Sequence, residues 1–145
     1  MKVIPPAATL LDERGIRPSH QRVRIYEVLA GTKAHPSVDW IYRSLSDELP
    51  TLSRTTVYNT LGTLIEAGLA KPVFIEGEEI RYDADMSVHG HFRCRKCGTV
   101  YDFKVGESDM EPDLPEGFIA EQVQLNCIGL CPACAGEEIH NQVNR

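Results

Sequence analysis

At 145 residues, 42% of them hydrophobic and with a net charge of −6, the chain has room for one ordinary domain or for two small ones that gain stability from a metal or a partner subunit. The acidic balance argues against nucleic acid as a partner of the whole chain, but residues 1–70 carry 8 Lys and Arg against 7 Asp and Glu while residues 71–145 carry 7 against 14, so a DNA-binding first half stays open. No stretch approaches the length of a bilayer, and the opening "MKVIPPAATLLDERG" does not read as a signal peptide because Asp12, Glu13 and Arg14 break its apolar run; a soluble, cytoplasmic protein with no membrane partner is expected.

The first half reads as four short helices. "ATLLDERG" closes at Gly15, "SHQRVRIYEVLAG" runs from a Ser19 cap to Gly31, "SVDWIYRSLSDEL" from Ser37 to just before Pro50, and "SRTTVYNTLGTLIEAG" from Ser53 to Gly68. Val38, Ile41, Tyr42, Leu45 and Leu49 recur at helical spacing in the third, and Val57, Leu61, Leu64 and Ile65 in the fourth, so each has one face to bury. After Gly68, "AKPVFIEGEEIRYDAD" alternates in short runs around Glu76-Gly77-Glu78, which predicts a two-stranded hairpin. Helices followed by a hairpin suggest a winged helix-turn-helix.

With its apolar stripe turned inward, the fourth helix shows Thr55, Tyr58, Asn59 and Gly62 outward and Arg54 at its N-terminal end. Small groups can approach a thymine methyl, an amide can pair with an adenine edge, and the helix start suits a phosphate. Periodicity alone allows an ordinary amphipathic helix, but the neighbouring helix and hairpin favour a DNA reader. Arg17, Arg22, Arg24 and Lys71 are further candidate phosphate contacts.

From about residue 86 the chain is strand-like and cysteine-bearing: "HFRCRKC", "TVYDFKV" and "GFIAEQVQLNCIGL", with the acidic, proline-broken "GESDMEPDLPEG" between. Five cysteines do not make a secreted disulfide framework. Four form two CxxC pairs, Cys94 with Cys97 and Cys131 with Cys134, separated by 33 residues, and four thiolates complete the tetrahedral shell of a structural Zn(II). Cys127 is left over and reads as a small buried apolar residue. In "VHGHFRCRKCG" His89 and His91 share one face of an extended strand while Cys94, an odd number of steps away, faces the other, so this short stretch serves two sites. The HxH pair stands out unaided; His35, Asp83 and Asp102 each read as well as a helix-entry residue or a solvated strand position. Imidazoles and carboxylates together suit Fe(II), Mn(II) or Zn(II).

"HPSVDWIY", "SRTTVYNTLGTLIEAGL", "RYD", "HGHFRCRKCG", "VYDF" and "CPAC", in this order, resemble the ferric uptake regulator family of metal-dependent repressors over about Gly15 to Cys134. The resemblance implies an α+β fold: a winged helix-turn-helix DNA-binding domain over residues 1–84 and a small α/β dimerisation domain over 85–145 with the four-cysteine zinc. It also implies a regulatory Fe(II) or Mn(II) held by His35, Asp83, His89, His91 and Asp102. Within the family the chain looks most like the peroxide-sensing (PerR-like) branch, because the ligand in "VYDF" is Asp102 where iron-uptake members usually carry Glu, and Asn59 follows Tyr58. Two features depart from the pattern. The segment from Lys104 to Phe118 holds Pro112 and Pro115 where relatives have a fuller helix, and "EQVQLNCIGL" lacks the histidine that many members place before the second cysteine pair, which speaks against an additional metal site.

The expected protein is a homodimeric repressor of a double-stranded operator, not an enzyme, that senses hydrogen peroxide when the metal promotes oxidation of His35 or His89. An iron- or zinc-uptake repressor using the same residues is the alternative. A metal-dependent hydrolytic enzyme lacks a recognisable general base, and a zinc-ribbon adaptor leaves His35 and Asp83 without a role.

Overall fold

The computed structural model describes residues 6–74 and 79–143 and divides the chain into two compact units, Met1–Met86 and Ser87–Arg145. In the first unit α1 spans Ala7–Glu13, α2 His20–Ala30, α3 Val38–Leu45 and α4 Arg54–Glu66, followed by strands β1, Lys71–Val73, and β2, Arg81–Asp83. The last three helices start where a serine caps them. Ser19, Ser37 and Ser53 each accept a bond from the backbone N–H three residues on, Arg22, Trp40 and Thr56, and so satisfy a donor the helix itself leaves open. Gly68, at φ +75°, ends α4: its own N–H reaches Ile65 and that of Leu69 reaches Leu64, a left-handed stop that a side chain would strain.

The stripes meet in one core. Leu11, Ile25, Leu29, Ile41, Leu45, Val57, Leu61 and Leu64 are fully buried, with Val38, Tyr42 and Ile65 packed at its edge. β1 and β2 pair antiparallel with Lys71 opposite Asp83, as expected of a wing; Glu76-Gly77-Glu78, the anticipated turn, lies outside the described residues. Helix α3 ends earlier than the sequence suggests, at Ser46 and Asp47, whose side chains compete with the helix for backbone hydrogen bonds, yet the N–H of Leu49 still reaches the Leu45 carbonyl and Leu49 is buried.

In the second unit β3, His89–Cys94, is the middle strand of three. β4, Val100–Lys104, pairs with it antiparallel and β5, Asn126–Gly129, parallel, and α5, Pro132–Val143, follows. Two expectations change here, the extent of the last strand and the burial of Cys127. Only Asn126–Gly129 of "GFIAEQVQLNCIGL" joins the sheet, so Phe118 and Ile119 stand 67% and 88% exposed. The acidic segment contributes one 3-10 turn, Glu107–Met110, cut short by the prolines that follow. Cys127 is exposed, not buried, since it lies on an edge strand whose face opens into an apolar cavity of about 450 Å³. α5 was not anticipated: Cys131 and Pro132 mark a start that reads equally well as a metal knuckle alone.

Candidate metal centres and DNA-binding face

β3 sorts its side chains by parity, and the two metal-ligand sets fall on opposite faces. On one, Gly90, Phe92 and Cys94 line up, and the ring of Phe103 packs over Gly90 across the β4 pairing, in the space a Cβ there would take. On the other, His91 sits opposite Asp102.

The cysteine cluster forms where two turns converge. The first knuckle is a tight reversal in which the N–H of Cys94 bonds to Thr99 and that of Gly98 to Cys94, with Gly98 at φ +75°. Cys131 lies between β5 and α5, and Cys134 in the first turn of α5. The four sulfurs all lie within 4.8 Å of one another, and Cys97 Sγ is 3.9 Å from Cys131 Sγ. Ligands of one tetrahedral zinc stand about 3.8 Å apart for Zn–S bonds of ~2.3 Å, so the donor set fits. All five cysteines are free thiols. The backbone N–H groups of Cys131 and Cys97 point at Cys94 and bring its thiol down to about 5, whereas Cys134, sharing its proton with Cys131, is pushed up to about 12. N–H groups aimed at sulfur favour thiolate, the form a metal takes. Arg95 pairs with Glu138 at 3.1 Å and Lys96 with Glu137 at 2.7 Å, tying the first knuckle to α5.

On the other face His89 Nε2 and His91 Nε2 are 3.1 Å apart, and Asp102 Oδ1 is 3.7 Å from the first and 3.5 Å from the second. Three donors of two chemical kinds thus converge within the second unit. His89 Nδ1 lies 2.8 Å from the Ser87 carbonyl, a contact that places the ring proton on Nδ1 and leaves the Nε2 lone pair toward the cluster. Sequence reasoning missed this carbonyl, since backbone acceptors carry no residue signature.

His35 and Asp83 belong to the first unit, where His35 Nε2 is 3.6 Å from Asp83 Oδ2. The N–H of Tyr82 bonds to the Pro36 carbonyl and so ties the wing strand to the loop carrying His35. His35 itself has φ +52°, a left-handed backbone uncommon for a residue with a side chain.

On α4, Thr55, Tyr58, Asn59 and Gly62 are exposed as expected, Tyr58 by 61%. Asn59 borders a polar hollow of about 230 Å³ shared with Ser19, Gln21, Arg22, Thr56, Thr60 and Thr63. Arg54 is not the loose cation its position suggests: its Nε donates to Asp39 Oδ1 at 2.9 Å and its guanidinium lies 4.2 Å from the centre of the Tyr42 ring. Arg24 makes two bonds to Glu48, at 2.7 and 3.1 Å, and is a structural ion pair, not a candidate phosphate contact.

The sequence profile of the Ferric uptake regulator family matches residues 13–127. The "Peroxide operon regulator" of Bacillus subtilis is 35% identical over 137 residues, covering 92% of this chain and 94% of its own. A solved structure of PerR from Streptococcus pyogenes, 28% identical with a TM-score of 0.53, covers 92% of this chain and 95% of that one. A solved zinc-bound manganese uptake regulator, 26% identical with a TM-score of 0.66, covers 88% and 99%. With most of its length matched by the profile, the chain belongs to the ferric uptake regulator family.

Proposed function

We infer that the protein is a metal-dependent DNA-binding repressor that responds to hydrogen peroxide. The observation that carries this reading is the convergence of His89, His91 and Asp102 on one face of β3 and β4, in a chain whose relative at 35% identity is a peroxide regulator. The four cysteines hold structural zinc. His35 and Asp83 from the first unit and His89, His91 and Asp102 from the second serve one regulatory Fe(II) or Mn(II), so that metal loading sets the DNA-binding state.

The first unit, residues 1–84 by sequence, binds the operator through α4, with Thr55, Tyr58 and Asn59 toward base edges and Arg54 toward the backbone. The second forms the homodimer, which the exposed Tyr101, Phe118, Ile119 and Ile128 support. Among the described residues no helix is long and apolar enough to cross a membrane, in keeping with a cytoplasmic regulator.

Fe(II) held by these residues would supply the redox chemistry that activates peroxide, lending an electron and regaining it so that the histidine is the net reductant. In the net change one peroxide oxygen is added to an imidazole carbon of His35 or His89 and the other leaves as water, so the histidine is oxidised by two electrons. The Ser87 carbonyl, accepting from His89 Nδ1, holds the ring with Nε2 toward the other donors, and oxidation of that ring would remove it as a ligand. Binding of a duplex with and without Mn(II), by the parent and by His91→Ala, tests the metal dependence: the parent binds only with metal, and the variant loses the dependence. Equal binding by the metal-free parent contradicts the reading. A second reading, a metal-uptake repressor without peroxide chemistry, is favoured by the likeness to the manganese uptake regulator and predicts that peroxide leaves DNA binding unchanged.

A further inference from the structure

We propose that Asp39 and Tyr42 on α3 are positioning residues for DNA binding: they hold Arg54, the first residue of α4, so that the outer edge of its guanidinium meets a backbone phosphate. The inference rests on the DNA-binding reading of α4 and adds to it two residues on a different helix.

Asp39 stands in the first turn of α3, where a carboxylate is favoured by the helix start. Its Oδ2 accepts from Arg43 Nε at 2.9 Å, one turn along, and its Oδ1 accepts from Arg54 Nε at 2.9 Å. Arg43 therefore fixes which oxygen faces α4. The Tyr42 ring, 4.2 Å from the Arg54 guanidinium carbon, sets the plane of the group from another side. A guanidinium so held has its Nε edge on the carboxylate, and its Nη1 and Nη2 form the parallel pair that matches two oxygens of one phosphate.

Arg24 shows what a purely structural pair looks like in this chain. Its Nε and Nη2 both go to Glu48, and Nη1 lies 3.6 Å from Glu27, so the whole fork is occupied within the fold. Arg54 is attached through Nε to a single carboxylate and its side chain remains 56% exposed. Much of its rotameric freedom is already lost before DNA arrives, which lowers the entropy cost of the contact.

The test uses the full-length Mn(II)-loaded protein with two probes, a duplex enriched from a random pool by the unmutated protein and a random-sequence duplex of equal length, each titrated over a range of salt. Arg54→Ala is expected to flatten the salt slope by about one phosphate contact per subunit, and Arg54→Lys, which keeps the charge but lacks the planar fork, to weaken binding several-fold with the slope largely kept. Asp39→Ala should likewise weaken binding, about three- to tenfold, while Asp39→Asn, which keeps an acceptor for Nε, should hold most of the parent's affinity. In an Arg54→Ala background Asp39→Ala should change nothing more. Tighter binding by both Asp39 variants would mean that Asp39 merely shields Arg54, and parental binding by Arg54→Lys would mean that only charge matters; either overturns the proposal. If the unmutated protein enriches no duplex, the DNA-binding reading itself fails, and that outcome is distinct from parental behaviour of Asp39→Ala, which sinks the positioning role alone.

Discussion

His89 and Asp102 carry the chemical argument at the scale of single residues. Their roles were partly legible: the two-residue period of a strand already placed His89 and His91 together and Cys94 apart, and the structure keeps that division. What the sequence could not show is that Asp102 would lie opposite His91, since cross-strand register depends on where the knuckle turn falls. Asp102→Glu moves the carboxylate by one methylene without changing its charge. Metal-dependent DNA binding is expected to survive in this variant, while release of the Fe(II) form after a peroxide pulse becomes several-fold slower, as followed by duplex binding over time. Asn59→Ala tests the reader on α4. It should weaken specific binding by roughly 1–3 kcal/mol and leave binding to random duplex nearly unchanged, as seen by competition titration. The left-handed backbone of His35 and the pairing of Arg54 with Asp39 were invisible in the sequence, because both depend on chain segments brought together by folding.

At the scale of elements the helix starts were the most legible feature, since a serine immediately before a periodic apolar run acts through its own backbone neighbours. Ser53→Ala removes the acceptor for the Thr56 N–H and should cost about 0.5–2 kcal/mol of stability in the first unit, measured by denaturant unfolding. The helix α5 and the short β5 were not legible. Residues 118–129 mix apolar residues with Glu121, Gln122, Gln124 and Asn126 without a clear break, and pairing with β3 decides that Asn126–Gly129 becomes strand. The four-cysteine cluster joins these late elements to β3. Cys97→Ser is therefore expected to release zinc and to unfold the second unit, observed as loss of bound metal together with loss of the dimer in sedimentation. A Cys97→Ser protein that kept both would remove the zinc from the account.

For the whole molecule the division of labour between two small units follows from the sequence's own asymmetry of charge and composition. The first unit has a core built from helical stripes; among its described residues the second has few buried hydrophobic ones beyond its cysteines, a pattern expected of a small unit stabilised by a bound metal. Repression, zinc binding and metal dependence would all be shared with a metal-uptake regulator, so they leave the central claim of peroxide sensing untested. The most direct measurement follows operator binding by the Fe(II)- and Mn(II)-loaded dimers after the same hydrogen peroxide pulse, with mass spectrometry of the peptides containing His35 and His89. The account predicts that the Fe(II) form releases DNA and gains one oxygen on one of these histidines, while the Mn(II) form does neither. An Fe(II) form that keeps its DNA and its unmodified histidines through the pulse would contradict it.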